Sequence, residues 1–254
     1  MKRLEGKVIL VTGATGSIGR ATAIRLAQEG AKLALADRAS SSTDELVTEI
    51  AQTGAGTPEI FHYDALDAVS CRALVADVVQ AYGRLDGLCN IAGAYAKTSA
   101  TDVGDDDWNT LLQINLNSTF TLTREAIPHL QKSGGNVVST SSLAALNGLA
   151  YATAYASAKA ALIAMTKSLA AEYASCGVRV NVICPGGIRS EMSAIPPVPG
   201  ADPELIMRRS KLKGFADGLG DPKDIAAGFA YLLSDDARFV SGAVLVIDGA
   251  QGLI

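Results

Sequence analysis

Seven short apolar segments recur along the chain, and longer stretches with helical spacing of apolar residues lie between most of them. The short segments are rich in β-branched and aliphatic side chains, and each ends at Gly, Asp or Ser. Strands that alternate with helices predict a parallel sheet covered by helices on both faces. The predicted strands are residues 7–13, 31–37, 59–64, 85–93, 135–142, 177–186 and 242–249, and the clearest predicted helices are residues 19–30, 67–82 and 151–175.

Right-handed crossovers between such strands predict an α/β fold of the doubly wound, Rossmann type, with a seven-stranded parallel sheet. At 254 residues the chain is within the size that one domain can hold, so residues 1–254 are predicted to form a single domain. Residues 188–220 interrupt the pattern with Pro and small residues. Long inserts of this kind are typically lids or binding loops, so a substrate-binding loop is predicted there, with a disordered surface loop as the alternative.

The composition excludes several classes of function. A net charge of −4 gives no basic face of the kind that nucleic-acid binding requires. The N-terminal apolar run, Val8 to Val11, is too short for a signal peptide, and no apolar stretch is long enough to span a membrane. We therefore expect a cytoplasmic protein that binds neither nucleic acid nor a membrane.

The four cysteines are scattered along the chain without a CxxC pair or a histidine at ligand spacing: Cys71, Cys89, Cys176 and Cys184. This arrangement predicts four buried, reduced thiols and no metal site. Three consecutive acids, Asp105 to Asp107, are expected to begin a helix, where negative charge stabilises the helix dipole, instead of binding a metal ion.

A glycine-rich loop, Thr-Gly-Ala-Thr-Gly-Ser-Ile-Gly at residues 12–19, follows the first predicted strand and opens the first helix. Glycines at such a turn let backbone N–H groups approach a pyrophosphate, whose charge the helix N-terminus stabilises. The loop predicts a dinucleotide site. Its candidate cofactor-binding residues are Gly13, Thr15, Gly16, Ser17, Ile18 and Gly19.

Asp37 ends the second predicted strand. A carboxylate at this position accepts hydrogen bonds from the adenosine ribose hydroxyls and repels a 2′-phosphate, so it favours NAD over NADP. The adjacent Arg38 keeps NADP as the alternative, because a guanidinium can bind that phosphate.

Tyr155 alone among the seven tyrosines has a lysine, Lys159, four residues later. This spacing places both side chains on one helix face. A neighbouring ammonium is expected to lower the pKa of the phenol, so that Tyr155 can exchange a proton with an alcohol or ketone oxygen while hydride is transferred. Ser142, just before this helix, is placed to hydrogen-bond that oxygen.

Taken together, these motifs identify a chain that resembles the single-domain short-chain dehydrogenase/reductases of about 250 residues, and the resemblance extends over nearly all of it. It implies reversible oxidation of a secondary alcohol with Asn115, Ser142, Tyr155 and Lys159 as catalytic residues, and Asn115 holding a water in a proton relay. It also implies a homotetramer assembled through the last strand and the helix before it. Further cofactor contacts that it implies are Asp64, Ala65, Asn90, Ala92, Gly93, Tyr155, Lys159, Pro185, Gly186, Ile188 and Ser190.

Three positions depart from the family pattern: Ser17 replaces the middle glycine of the loop, Ile91 replaces the second Asn of Asn-Asn-Ala-Gly, and Ser190 replaces Thr. None of these changes removes a reactive group, so activity is expected.

The segments expected to form the substrate pocket are residues 94–99, 143–151 and 188–215. The substrate is predicted to be a hydrophobic alcohol, because these segments contain Ala144, Ala145, Leu146, Leu149, Met192 and Ile195, which suggest an apolar lining. Its candidate contacts are Ser142, Tyr151, Tyr155 and Met192. Two alternatives stay open: an NADP-dependent 3-oxoacyl-thioester reductase, and a non-catalytic NAD-binding regulator built on the same fold.

Overall fold

A single sheet forms the centre of the protein. The computed structural model describes residues 2–190, 198–202, 205 and 209–253. Within them, seven strands pair in the order β3-β2-β1-β4-β5-β6-β7, and every pair is parallel. The strands are β1 (Val8–Thr12), β2 (Lys32–Asp37), β3 (Glu59–His62), β4 (Gly87–Asn90), β5 (Asn136–Thr140), β6 (Arg179–Pro185) and β7 (Val244–Ile247).

All seven predicted strands and the doubly wound fold are confirmed. The chain winds outward from β1 in one direction to β3 and then starts again at β4 on the other side of β1. At such a switch point, the loops after the strands diverge and leave a crevice at the carboxyl ends. The loops that follow β1 and β4 therefore border one crevice.

Eight α-helices in the described part of the chain connect the strands: α1 (Ser17–Gln28), α2 (Asp44–Gln52), α3 (Ala68–Tyr82), α4 (Asp105–Leu112), α5 (Ser118–Ser133), α6 (Ala144–Asn147), α7 (Thr153–Tyr173) and α8 (Pro222–Leu233). Their boundaries carry sequence signals. The Asp67 carboxylate accepts from the Val69 N–H at the start of α3, and Gly83 ends that helix at φ +73°. Asp105 to Asp107 form the first turn of α4, as predicted.

Two hydrophobic cores lie on opposite faces of the sheet. Alternate residues of a strand point to opposite faces, so Ile9 and Val11 enter one core while Leu10 enters the other. The first core contains apolar residues of α1, α2 and α8, and the second contains those of α3, α5 and α7. Sheet burial on both sides explains why the strands are nearly continuous apolar runs.

The prediction of four buried thiols is wrong for one of them. Cys71, Cys89 and Cys184 are buried, but Cys176 is exposed, because it lies in the short turn between α7 and β6. In the described residues, no helix has the length and apolar character needed to cross a bilayer.

Candidate active site

The loop after β1 has the shape of a phosphate cradle. Gly13 adopts φ +65°, and a Cβ there would lie 2.8 Å from the Ala92 Cα. A Cβ on Gly19 would collide with the Gly13 carbonyl oxygen. Helix α1 begins at Ser17 with Gly16 as its N-cap, a residue without a side chain to accept from the first-turn N–H groups. These N–H groups, at Ser17, Ile18 and Gly19, suit the pyrophosphate of a dinucleotide.

Asp37, the last residue of β2, borders the phosphate cradle formed by the glycine loop. Its Oδ2 accepts from both the backbone N–H and the Oγ1 hydroxyl of Thr15, at 2.9 and 2.7 Å. Its Oδ1 accepts from the Arg38 N–H at 2.8 Å and the Ser41 hydroxyl at 3.1 Å. The carboxylate is thereby fixed beside the glycine loop, where the adenosine ribose of a dinucleotide would lie.

A cavity of about 300 Å³ opens at the carboxyl ends of the strands. Its walls are mostly aliphatic and aromatic, and its volume is at the lower end of what small-molecule pockets have. It brings together residues from opposite ends of the chain. Of the residues predicted from sequence, the cavity is lined by Ile18, Gly93, Asn115, Ser142, Tyr151, Tyr155, Lys159, Pro185, Gly186, Ile188 and Ser190.

Tyr155 occupies the wall of this cavity on the first turn of α7. Its ring packs edge-to-face against Tyr95, with centroids 4.9 Å apart. Burial raises the pKa of Tyr155, and a hydrogen bond with Ser142 opposes that rise. The expectation that the lysine would set a lowered pKa is therefore wrong for this structure, because desolvation of the phenolate dominates.

Lys159 lies at the base of the cavity, with only 3% of its surface exposed. Its ammonium donates to the Thr140 carbonyl at 2.9 Å and lies 5.7 Å from the centre of the Tyr155 ring. Burial lowers the pKa of Lys159 to about 8. Ser141, the neighbour of Ser142, donates its hydroxyl to the Lys159 carbonyl at 2.7 Å and so helps to fix the turn of α7 that carries the lysine.

Asn115 is completely buried in a π-helical turn, Gln113–Asn117, between α4 and α5. Its amide nitrogen donates to the carbonyls of Ala94 and Leu111, and its Oδ1 accepts from the Ala94 N–H. A Cβ on Gly93 would lie 2.8 Å from this Oδ1 and 3.3 Å from the Lys159 Nζ. Gly93 thus lets Asn115 and Lys159 approach one another, and π-helical turns are frequent at functional sites.

The remaining predicted residues are distributed around the crevice. Asn90 is buried at the end of β4 and donates to Thr123 and Ser139, which makes its described contacts structural. The Ala65 carbonyl, after β3, accepts from Gln113, and Asp64 Oδ1 accepts from the Leu66 N–H. Asp64, Ala65 and the residues of the glycine loop other than Ile18 lie outside the cavity lining. Met192 falls outside the described residues.

Tyr151 contributes to the cavity wall, as predicted, and also joins three segments. Its carbonyl accepts from the Thr98 N–H at 2.8 Å, and its hydroxyl accepts from the Asp202 N–H at 3.0 Å. Its backbone has φ +62°, a strained value for a residue with a Cβ. Such strain is frequent near functional sites.

Sequence reasoning did not single out several cavity residues. Tyr95 and Lys97 fall in the loop after β4, within the predicted pocket segment but without a motif of their own. Arg209 and Leu219 belong to the segment after β6, where no local pattern indicated a side-chain direction. The one available sequence signal for Tyr95 was its position, two residues after the Asn-Ile-Ala-Gly stretch.

The amino-acid sequence is similar to those of known proteins over nearly its whole length. A family model described as enoyl-(acyl carrier protein) reductase matches residues 13–250. A 3β-hydroxysteroid dehydrogenase of Mediterraneibacter gnavus is 35% identical over 98% of this chain and 96% of its own length.

This chain belongs to the short-chain dehydrogenase/reductase family. A second relative, the 3-oxoacyl-acyl-carrier-protein reductase of Thermotoga maritima, is 36% identical over 97% of this chain and 98% of its own length. The protein is accordingly an oxidoreductase that transfers hydride between a nicotinamide cofactor and an alcohol or ketone.

Two solved structures of family members carry different cofactors. A short-chain dehydrogenase of Mycobacterium paratuberculosis bound to NAD has a TM-score of 0.90 and 27% identity, covering 99% of this chain and 100% of that one. One of Burkholderia cenocepacia in complex with NADP has a TM-score of 0.87 and 33% identity, covering 98% and 99%. The fold of this protein accommodates an NAD(P) cofactor, and the cradle described above fits one.

Proposed function

We propose that this protein is a single-domain NAD-dependent dehydrogenase, with Asn115, Ser142, Tyr155 and Lys159 as its catalytic residues and an apolar secondary alcohol as its substrate. The observation that carries the proposal is the meeting of these four side chains in one cavity beside a glycine cradle closed by Asp37. When bound, the nicotinamide supplies the hydride acceptor or donor.

In this proposal, Tyr155 moves the proton. Its phenol oxygen exchanges a proton with the substrate oxygen, and the Ser142 hydroxyl hydrogen-bonds that same oxygen. The raised pKa of Tyr155 keeps the phenol protonated at neutral pH, which is the form that donates a proton to a ketone.

Lys159 and Asn115 provide the route by which that proton reaches solvent. Their distances from the Gly93 position place the Lys159 Nζ and the Asn115 Oδ1 within about 6 Å of each other. One water molecule can bridge such a gap. The Lys159 ammonium, with a pKa of about 8, can give up and regain a proton near neutral pH.

The preference for NAD is tested by its dependence on the Asp37 charge. We expect NADH to bind the wild-type protein at least about tenfold more tightly than NADPH, because a fixed carboxylate repels a 2′-phosphate. In Asp37→Asn, which keeps the side-chain shape, this ratio should fall by about tenfold or more. Fluorescence titration with both cofactors measures it.

Arg38→Gln is the matched control, since this variant removes the neighbouring cation without altering Asp37. Tighter binding of NADPH than NADH by the wild type, with loss of that preference in Arg38→Gln, would make NADP the cofactor.

The reaction is tested by cofactor reduction over a panel of secondary alcohols with both cofactors. We expect turnover with apolar secondary alcohols. Activity limited to the reduction of a 3-oxoacyl thioester with NADPH would favour the alternative function, an NADP-dependent 3-oxoacyl-thioester reductase. The name of the Thermotoga maritima relative supports that alternative. Binding of cofactor without turnover of any substrate would favour a regulator.

We also propose that the protein is a homotetramer located in the cytoplasm. Strand β7 lies at the edge of the sheet, and it leaves Val246 42% exposed, while Phe239 just before it is fully exposed. An apolar sheet edge is commonly covered by another subunit. Light scattering should give four times the mass of one chain, and Val246→Lys should give a smaller species. A monomeric wild type would refute the tetramer.

A further inference from the structure

The described lining of the substrate cavity carries positive charge and no negative charge. This charge distribution defines the substrate class more narrowly than the apolar walls alone. Among the described lining residues, three are cationic, Lys97, Lys159 and Arg209, and none is Asp or Glu. Lys159 is buried at the base with the catalytic groups. Lys97 is half-buried and Arg209 is exposed, so these two cations lie nearer the mouth.

The position of Lys97 relative to the reacting group follows from two ring contacts. Its ammonium is 6.0 Å from the centre of the Tyr95 ring, and that ring is 4.9 Å from the ring of Tyr155. The ammonium therefore lies no more than about 11 Å from the Tyr155 ring. A molecule reacting at Tyr155 can reach Lys97 with a short apolar chain.

Arg209 is a permanent cation whose nearby carboxylate is already engaged. Its Nη1 donates to the backbone carbonyl of Asp217 at 2.8 Å. The Asp217 carboxylate is instead bound by the Arg189 guanidinium through two contacts, at 2.8 and 2.9 Å. Within the described ranges, no carboxylate lies at ion-pair distance from Arg209.

We propose that the substrate is an amphiphile, with a secondary alcohol or ketone at one end of an apolar body and an anionic group, such as a carboxylate, at the other, bound by Lys97 and Arg209. This inference rests on the proposed function. The apolar walls bind the body, and the two cations at the mouth bind the anion, so they set specificity without touching the reacting atoms.

The test compares 7-hydroxyoctanoate with its methyl ester, which has the same secondary alcohol but no charge. In the wild type, KM should be at least about tenfold lower for the acid than for the ester, because one charge-assisted contact has this magnitude. In Lys97→Met and in Arg209→Gln, the preference for the acid should fall severalfold, and in the double variant it should be lost. Lys132→Met, which removes an exposed cation far from the cavity, is the matched control and should keep the preference.

A binding measurement separates this proposal from the proposed function. Calorimetry of the NADH complex should show octanoate binding at least about tenfold more tightly than 1-octanol, with that difference abolished in the double variant. Equal affinity for the two compounds, or equal KM for acid and ester, overturns the anion site. Weakened NADH binding in Arg209→Gln also overturns it, since the arginine would then serve the cofactor. Octanoate selectivity without turnover of any alcohol refutes the proposed function and leaves the anion site standing.

Discussion

The Tyr155→Phe variant is expected to lose about 10³-fold in kcat/KM while it still binds NADH, because general acid–base catalysis by a positioned side chain contributes on this scale. The change removes one hydroxyl and leaves the ring, so the edge-to-face contact with Tyr95 persists. Steady-state kinetics on the best alcohol of the panel measures the loss, and NADH fluorescence shows that the cofactor site is intact.

Tyr82→Phe is the matched control for this prediction. Tyr82 is also partly buried, and its hydroxyl donates to the Leu33 carbonyl at 2.8 Å, but it lies at the end of α3, outside the cavity. Its loss should cost about 1 kcal/mol of stability and no activity. If Tyr155→Phe retained more than a tenth of the wild-type kcat/KM, Tyr155 would not be the acid–base group.

The second large effect is expected for Lys159→Met, which removes a buried cation while nearly preserving side-chain length. We expect kcat to fall by at least about 10²-fold, because the proton relay loses its ionisable group. The thermal midpoint should not fall, since this cation is only 3% exposed and has no carboxylate partner among the described residues, so its burial destabilises the folded state. Kinetics and thermal melting together separate this result from unfolding.

The pH profile provides a second readout for Lys159. Burial lowers its pKa to about 8, so the ammonium form prevails below that pH and is lost above it. Wild-type turnover should therefore change across pH 8, and Lys159→Met should lack that transition. Lys167→Met, an exposed lysine on the same helix, is the control and should keep the wild-type profile. An unchanged transition in Lys159→Met would assign it to another group.

Local signals made much of the fold and part of the site predictable. The apolar segments predicted all seven strands because both faces of a parallel sheet must be buried. The glycine loop was predictable since its backbone conformation needs φ +65° at Gly13 and admits no side chain at Gly19. The spacing of Tyr155 and Lys159 follows from one helix.

Other features required contacts between distant segments. Asn115, Gly93 and Lys159 meet although they come from a π-helical turn, a loop and a helix. The ring of Tyr95 against Tyr155, and the cations Lys97 and Arg209 in the cavity wall, carry no sequence signal, because loops do not impose a periodic side-chain direction.

The sequence by itself determined the sheet and the glycine loop, and it predicted the pairing of Tyr155 with Lys159, since each depends on neighbours within a few positions. Only the tertiary structure decided the ionisation of those residues. The sequence predicted a lowered pKa for Tyr155 from its lysine, whereas burial raises it and lowers that of Lys159. Desolvation depends on every segment packed around a group, so its magnitude cannot be derived from helical spacing alone.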